Sequence, residues 1–299
     1  MHPTLYFTHP SGQNGSTSVI SEYLMLLTMI FVFSGTGNSY HAAKMIATAL
    51  KSDMVEMAAA VKYKRKFYNA EGNDVGFVFP VYYHGLPSVV EEFLETVEIV
   101  KPGHVYAVST CAGESGKACD QLQEILGKRL KVDAFYDVLM PENAVYYEDV
   151  PDKDEAKRIN DAADVTIGGI IESIGKKDKG DFRTMVGSDS FDEAREQYFD
   201  FRNTEQFIID DKCIECRICE HVCPEEIIKV YHRKPVWDEF QCSMCMSCIN
   251  MCPKKAIQIS DVTQNRGRYF HPEYYFWSLG VKPPYKYEDF KKYDEGYRF

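Results

Sequence analysis

Most cysteines of this 299-residue chain lie in one segment and repeat at fixed spacing. The first copy is Cys213-x2-Cys216-x2-Cys219-x3-Cys223-Pro224, and the second is Cys242-x2-Cys245-x2-Cys248-x3-Cys252-Pro253. Every cysteine of the second copy follows its counterpart by 29 residues. Runs of this kind hold iron–sulfur clusters, whereas a zinc site needs only two cysteine pairs and would require neither third cysteine. The pattern therefore favours two 4Fe-4S clusters over zinc or disulfides.

The spacing also predicts which cysteines bind together. Three thiolates of one copy surround one cluster, and the fourth begins the following helix, points away and serves the other cluster. The predicted ligand sets are Cys213, Cys216, Cys219 and Cys252, and Cys242, Cys245, Cys248 and Cys223. Residues 212–259 resemble the bacterial dicluster ferredoxins throughout, which implies electron transfer.

A second motif lies between the first predicted strand and the first predicted helix. It consists of Ser34, Gly35, Thr36, Gly37, Asn38 and Ser39. A helix N-terminus offers unpaired N–H groups and a positive dipole end, which suit a phosphate. The loop has hydroxyl groups and an amide but no Lys or Arg, so it favours a phosphate monoester and lacks the Gly-Lys-Ser/Thr of a triphosphatase loop. It predicts FMN.

Two alternatives to FMN remain for this loop. Gly35 and Gly37, with Glu56 about 20 residues on, match part of a dinucleotide fingerprint for NAD. Tyr40, however, stands at the third glycine position and would obstruct close packing of helix and strand. The other alternative is a glycine-rich turn that binds nothing.

The surrounding sequence alternates strands and helices. Continuous apolar runs predict five strands, at residues 29–33, 53–57, 75–81, 105–110 and 135–140. Helical patterns occupy residues 39–50, 87–97, 117–131 and 154–174, and one further helix is predicted at residues 191–201. Strands alternating with helices indicate parallel βαβ units.

Residues 29–175 resemble the flavodoxin family, with residues 34–39 as the phosphate loop. The resemblance implies a doubly wound five-stranded parallel sheet of order 2-1-3-4-5, with FMN at the carboxyl ends of the strands. Two more loops are then expected at the flavin, and they contribute Tyr82, Tyr83, His84 and Gly85, and Thr110, Cys111, Ala112 and Gly113. Tyr82 or Tyr83 would stack on the ring, with surface packing as the alternative. The aromatic residue usual in the second loop is missing, so one ring face is open or covered by another part of the chain.

The chain as a whole divides into five predicted segments. They are an extension at residues 1–28 (disordered, or a mis-assigned start before Met29), an FMN-binding α/β domain at 29–175, a charged linker at 176–206, a small α+β dicluster ferredoxin domain at 207–262, and an aromatic-rich tail at 263–299. The tail is interpreted as packing over a small domain, with a docking surface or a cover for a redox centre as the alternative.

Charge and hydropathy exclude two classes of partner. The formal net charge of −11 makes a duplex nucleic-acid binder implausible, since phosphate neutralisation requires clustered Lys and Arg. No apolar run reaches the roughly 18 residues of a membrane span, and no export signal is recognised. We expect a cytoplasmic protein.

The two modules together resemble the flavodoxin–ferredoxin fusion proteins of anaerobic bacteria. That resemblance implies an electron carrier that passes electrons between two 4Fe-4S clusters and FMN and on to redox partner proteins. The sequence contains no recognisable acid–base constellation, so no catalytic residue is predicted. The alternatives are a flavin-dependent reductase of a small organic acceptor, of the quinone or deazaflavin class, and a redox-sensing binding protein.

Overall fold

A computed structural model describes residues 28–187, 190–232 and 234–274. Residues 1–27 of the predicted extension and residues 275–299 of the predicted aromatic tail lie outside the described residues. In the part of the chain that is described, no helix is long and apolar enough to cross a membrane.

Strands and helices alternate along the described chain. The strands are β1 Met29–Val32, β2 Asp53–Glu56, β3 Phe67–Asn69, β4 Val75–Pro80, β5 Glu98–Val100, β6 Val105–Cys111, β7 Ala134–Leu139, β8 Gly180–Asp181, β9 Phe207–Ile209, β10 Ile228–Tyr231, β11 Lys234–Trp237 and β12 Ile257–Ile259. The helices are α1 Asn38–Leu50, α2 Met57–Lys62, α3 Ser88–Thr96, α4 Ala118–Leu126, α5 Lys153–Lys176, α6 Phe191–Phe201, α7 Ile218–Val222 and α8 Ser247–Asn250.

The N-terminal part is built on a parallel sheet. Among the described residues this sheet has six strands in the order β2-β1-β4-β6-β7-β8, and every neighbouring pair is parallel. The prediction of five strands is therefore corrected to six. The added strand β8 pairs with β7 through only two residues, Gly180 and Asp181, which is too short for any hydrophobic periodicity to reveal.

Both faces of the sheet are buried, which explains the continuous apolar runs of its central strands. Phe31 and Phe77 face the side covered by α2, α3 and α4. Ile30 and Val78 face the side covered by α1 and α5. From β1 the chain goes outward to β2 and then returns to the other side of β1 as β4, so the strand order reverses there. In open parallel sheets, ligands bind at the carboxyl ends of the strands beside such a reversal.

The cysteine-rich part is a small α+β unit. Strands β9 and β12 pair antiparallel, as do β10 and β11. In sequence, the short helix α7 lies between β9 and β10, and α8 lies between β11 and β12. Helix α6, from the predicted linker, packs between this unit and the sheet. The hydroxyl of Tyr198 accepts from Ser88 N at 3.0 Å and donates to Ser243 O at 3.0 Å, and Arg195 Nη1 donates to Leu86 O at 2.9 Å.

Candidate functional site

The eight clustered cysteines line two separate internal cavities. One cavity is lined by Cys213, Cys216, Cys219 and Cys252. The other is lined by Cys223, Cys242, Cys245 and Cys248. The structure thus brings together the members of each predicted ligand set, with one cysteine in each set coming from the other copy of the motif. The prediction that the fourth cysteine begins a helix is wrong, because Cys223 and Cys252 follow the ends of α7 and α8 and a strand comes next.

Both cysteine loops have the same backbone conformation. Glu215 and Arg217 of the first loop have left-handed φ values of 56° and 60°, and Met244 and Met246 of the second have 56° and 59°. Arg217 and Met246 stand at the N-caps of α7 and α8. Left-handed conformations are uncommon for residues other than glycine. Their recurrence at matching positions means that the sequence repeat is also a structural repeat.

Five of the eight cysteines that line the cavities are buried, and burial raises the pKa of several of their thiols. Burial raises the pKa of Cys223 to about 12, and burial together with neighbouring thiols raises that of Cys219. Iron binding would displace these protons and compensate the thiolate charge. The cysteine thiols of the two cavities therefore fit an iron–sulfur cluster, whose iron ions would supply the positive charge that thiolates need.

The two cavities have different surroundings. In the first set, Cys213 and Cys216 are partly exposed, and the neighbouring Ile214 is 47% exposed. Cys245 of the second set is also partly exposed, but another part of the chain packs beside it. In the second set, a Cβ added to Gly35 would lie 2.9 Å from the Cβ of Cys245. The second set therefore packs directly against the predicted phosphate loop, while the first lies near the surface.

A cavity of about 840 Å³ lies at the carboxyl ends of β1, β4, β6 and β7. Its volume falls within the roughly 300–1,000 Å³ typical of small-molecule sites. Twelve of the predicted flavin-site residues line it, namely Ser34, Gly35, Thr36, Asn38, Ser39, Tyr82, Tyr83, His84, Thr110, Cys111, Ala112 and Gly113. Among the described residues no Lys or Arg lines it, so hydroxyl and N–H groups supply the donors there.

Two glycines of the predicted flavin site do not line this cavity. Gly37 has a φ of 102° at the N-cap of α1, and a side chain there would collide with Tyr274. Gly85 faces the side chains of Arg195 and Gln121 instead. Their roles in the structure are therefore a turn and a close packing contact, both of which suit glycine.

The phosphate loop is internally bonded. Gly37 N donates to Ser34 Oγ at 3.1 Å, and the hydroxyls of Ser39 and Thr110 lie 2.7 Å apart. Asn143 Nδ2 donates to Thr36 Oγ1. These contacts fix the orientation of the loop hydroxyls at the start of α1, where a phosphate is favoured.

Sequence reasoning missed part of the cavity wall. The loop after β7 contributes Met140, Pro141, Glu142, Ala144, Tyr146, Tyr147 and Glu148, helix α6 and the residue before it contribute Ser190, Glu193, Ala194 and Gln197, and the second cysteine loop contributes Met244 and Met246. Asn143, which follows the fifth predicted strand and is a candidate hydrogen-bond donor to the flavin on the sequence alone, also lines the cavity. The β7 loop was accessible to prediction, because it also follows a carboxyl end of the sheet. The two methionines had no signal except their positions between cluster cysteines.

Two other residues weighed from the sequence have buried, protonated side chains. Burial raises the pKa of Glu56 to about 8, and Glu56 does not line the cavity. A ribose-binding acid would have to reach the ligand, so its position does not favour NAD. Burial likewise raises the pKa of Cys111 to about 12, which leaves this thiol un-ionised at neutral pH.

Comparison with known proteins identifies the C-terminal segment. Residues 199–262 match the family model of a 4Fe-4S dicluster domain. This segment runs from the last turn of α6 to just beyond β12 and contains both cysteine cavities, and it is an iron–sulfur electron-transfer unit. No curated protein matches the chain.

Proposed function

We propose that this protein is an electron carrier in which a flavodoxin-like unit at residues 29–175 binds FMN and a ferredoxin unit at residues 207–262 holds two 4Fe-4S clusters. The clusters move one electron at a time and the flavin takes two in separable steps, so their union couples one-electron partners to a two-electron store. The observation that carries the proposal is the packing of Gly35 in the phosphate loop against Cys245 in the second cysteine set.

The donor chemistry of the large cavity supports FMN. The hydroxyls of Ser34, Thr36 and Ser39 stand at the N-terminal end of α1, and no Lys or Arg of the described chain lines the cavity. The sheet order also places the five predicted strands in the sequence 2-1-3-4-5 of the flavodoxin fold, with β8 as an extra edge strand. Gly113 has open space where a Cβ would stand, so a ring can approach its backbone.

The different surroundings of the two cysteine sets support an order for electron flow. Cys213 and Cys216 are partly exposed, so we place exchange with a partner protein there. Met244 and Met246 belong to the second cysteine loop and also line the large cavity. In this order, electrons pass from the first cysteine set at the surface to the second set and then to the flavin. The second cysteine loop and the phosphate loop pack directly against each other, which keeps the last step short.

The decisive experiment is cofactor analysis of full-length protein purified without oxygen. We expect about eight irons and eight sulfides per chain and one released FMN. Colourless protein, or protein carrying zinc in place of iron, would refute the proposal. Assays with a panel of quinones and deazaflavins separate carrier from reductase, since fast saturable turnover of one acceptor contradicts a pure carrier.

A further inference from the structure

Tyr82 has a buried hydroxyl at the junction between the phosphate loop and the second cysteine loop. Its backbone exchanges two hydrogen bonds with Gly85, at 2.9 and 3.0 Å, in the tight turn after β4. Its ring packs edge-on against Phe33 at 6.5 Å and against Tyr198 at 6.4 Å between ring centres. These contacts fix the orientation of the Tyr82 side chain.

The Tyr82 hydroxyl has no hydrogen-bond partner among the described residues. A Cβ added to Gly35 would lie 3.0 Å from this oxygen and 2.9 Å from the Cβ of Cys245, so both groups border the same point. Leaving a buried hydroxyl unpaired costs about 1–3 kcal/mol. A packed interior seldom retains such a group without a reason, and a bound group that acts as an acceptor would supply one.

Cys245 becomes an acceptor when it ionises. As a thiol, its Sγ donates to Ser247 Oγ at 3.4 Å, and the Ser247 hydroxyl donates its own proton to the carbonyl of Gly35. The Ser247 hydroxyl therefore has no second proton to give to an ionised sulfur, although the Ser247 backbone N–H and the Ser243 side chain also favour the ionised form of Cys245. The Tyr82 hydroxyl is a buried donor beside Cys245 whose proton is not committed to any described residue.

We propose that Tyr82 donates its O–H to the Cys245 thiolate when Cys245 holds a cluster, and that it thereby sets the reduction potential of the centre next to the flavin cavity. This inference rests on the proposed function. Hydrogen bonds to cluster sulfurs favour the more negative, reduced state and so raise the potential. Tyr82 acts through Cys245 and is therefore a positioning residue. The higher potential would favour the electron on the cluster that Cys245 holds, which is the one next to the flavin cavity.

The test is an anaerobic redox titration of the full chain, followed by electron paramagnetic resonance, with wild type and Tyr82→Phe compared. The substitution keeps the ring and removes only the donor. We expect one of the two cluster potentials to shift to a more negative value, while the other cluster potential stays the same. Tyr106→Phe is the matched control, because its buried hydroxyl also lacks a partner among the described residues but lies over Gly76 in the sheet.

Each other outcome overturns the inference. Unchanged potentials in Tyr82→Phe would mean that the hydroxyl gives nothing to the sulfur, and a shift to a more positive value has the wrong sign for a lost donor. Loss of iron from Tyr82→Phe alone would assign the hydroxyl to cluster assembly instead. Absence of clusters from the wild type would refute the proposed function itself, so the two failures are distinguishable.

Discussion

The cysteines of this chain occupy two kinds of environment. Eight line the paired cavities of the C-terminal unit, whereas Cys111 and Cys119 are buried in the α/β part, where burial raises the pKa of each to about 12. Burial also raises the pKa of Cys219 and Cys223 in the paired cavities, so a raised pKa does not distinguish the two kinds of environment. The distinction is that the eight cysteines line cavities in groups of four. Position in the fold, more than residue type, therefore separates the proposed ligands from the rest.

The ligand assignment is tested by Cys216→Ala. Removing one thiolate of the first set should lower the iron content by about half, because the second set keeps its four ligands. FMN content should not change, since the first set lies away from the large cavity. Cys119→Ala is the control and should retain all the iron. Full iron in Cys216→Ala would refute the assignment of this residue.

Glu56 should make stability depend on pH. Its folded-state pKa is about 8 against an ordinary value of 4.5, with burial as the cause. Between these values the unfolded chain loses the proton and the folded chain keeps it, so stability falls as pH rises from about 4.5 to about 8 and then levels off. Below about 4.5 both states are protonated and the penalty is absent.

Glu56→Gln should remove this dependence. At pH 8.5 the variant should exceed the wild type in stability by on the order of 3 kcal/mol, and near pH 4.5 the difference should be small. Anaerobic urea unfolding of both proteins at several pH values measures the effect. Parallel pH profiles for the two proteins would show that Glu56 ionises normally in the folded chain.

At the scale of elements, long buried segments were predictable and short ones were not. Each of β1, β2, β4, β6 and β7 lies within two residues of its predicted bounds. Strands β1, β4 and β6 are buried along nearly their whole length and therefore leave continuous apolar runs, whereas the edge strand β2 is partly exposed. The short elements α2, β3, β5 and β8 were missed. Helix α4 was predicted to reach Lys131 but ends at Leu126, since Gly127 follows with a φ of 55°.

Much of the candidate site was predictable for the same reason. Loops at the carboxyl ends of buried strands can be located once the strands are, and this identified the residues after β1, β4 and β6. The contribution of α6, and of Met244 and Met246, could not be inferred, because it depends on how the cysteine-rich unit packs on the sheet. Long-range packing of this kind leaves no periodic signal in one sequence.

The phosphate loop is tested by a double substitution, Thr36→Ala with Ser39→Ala. Removing two hydroxyl donors should weaken FMN binding by about 10–100-fold, since each hydrogen bond contributes about 0.5–1.5 kcal/mol. Quenching of flavin fluorescence measures the affinity. Thr48→Ala, on the exposed face of the same helix, is the control, since its hydroxyl bonds only to Lys44 O. Wild-type affinity in the double variant would exclude this loop as the phosphate site.

At the scale of the whole molecule, residues of the second cysteine loop and of the segment after β12 donate hydrogen bonds to the phosphate loop. Ser247 donates to Gly35 O, and His271 N donates to Thr36 O at 2.8 Å. Asn143 connects both sides, because its amide donates to Thr36 and its carbonyl accepts from Asn250 Nδ2 at 2.9 Å. A change in the second cysteine loop must therefore alter the loop that is proposed to hold FMN.

These contacts predict that cluster loading and flavin binding are coupled. Removing iron with a chelator under anaerobic conditions should loosen the second cysteine loop and weaken FMN binding by about tenfold, which corresponds to one lost hydrogen bond of about 1.4 kcal/mol. Ser247→Ala should weaken FMN binding similarly with iron in place, although Ser247 does not line the large cavity. Ser260→Ala, whose hydroxyl serves only its own exposed turn, is the control.

Because coupling between two sites is reciprocal, protein without FMN should lose its second cluster more readily by the same free energy. Equal FMN affinity with and without iron would mean that the two units are joined in sequence but bind their cofactors independently.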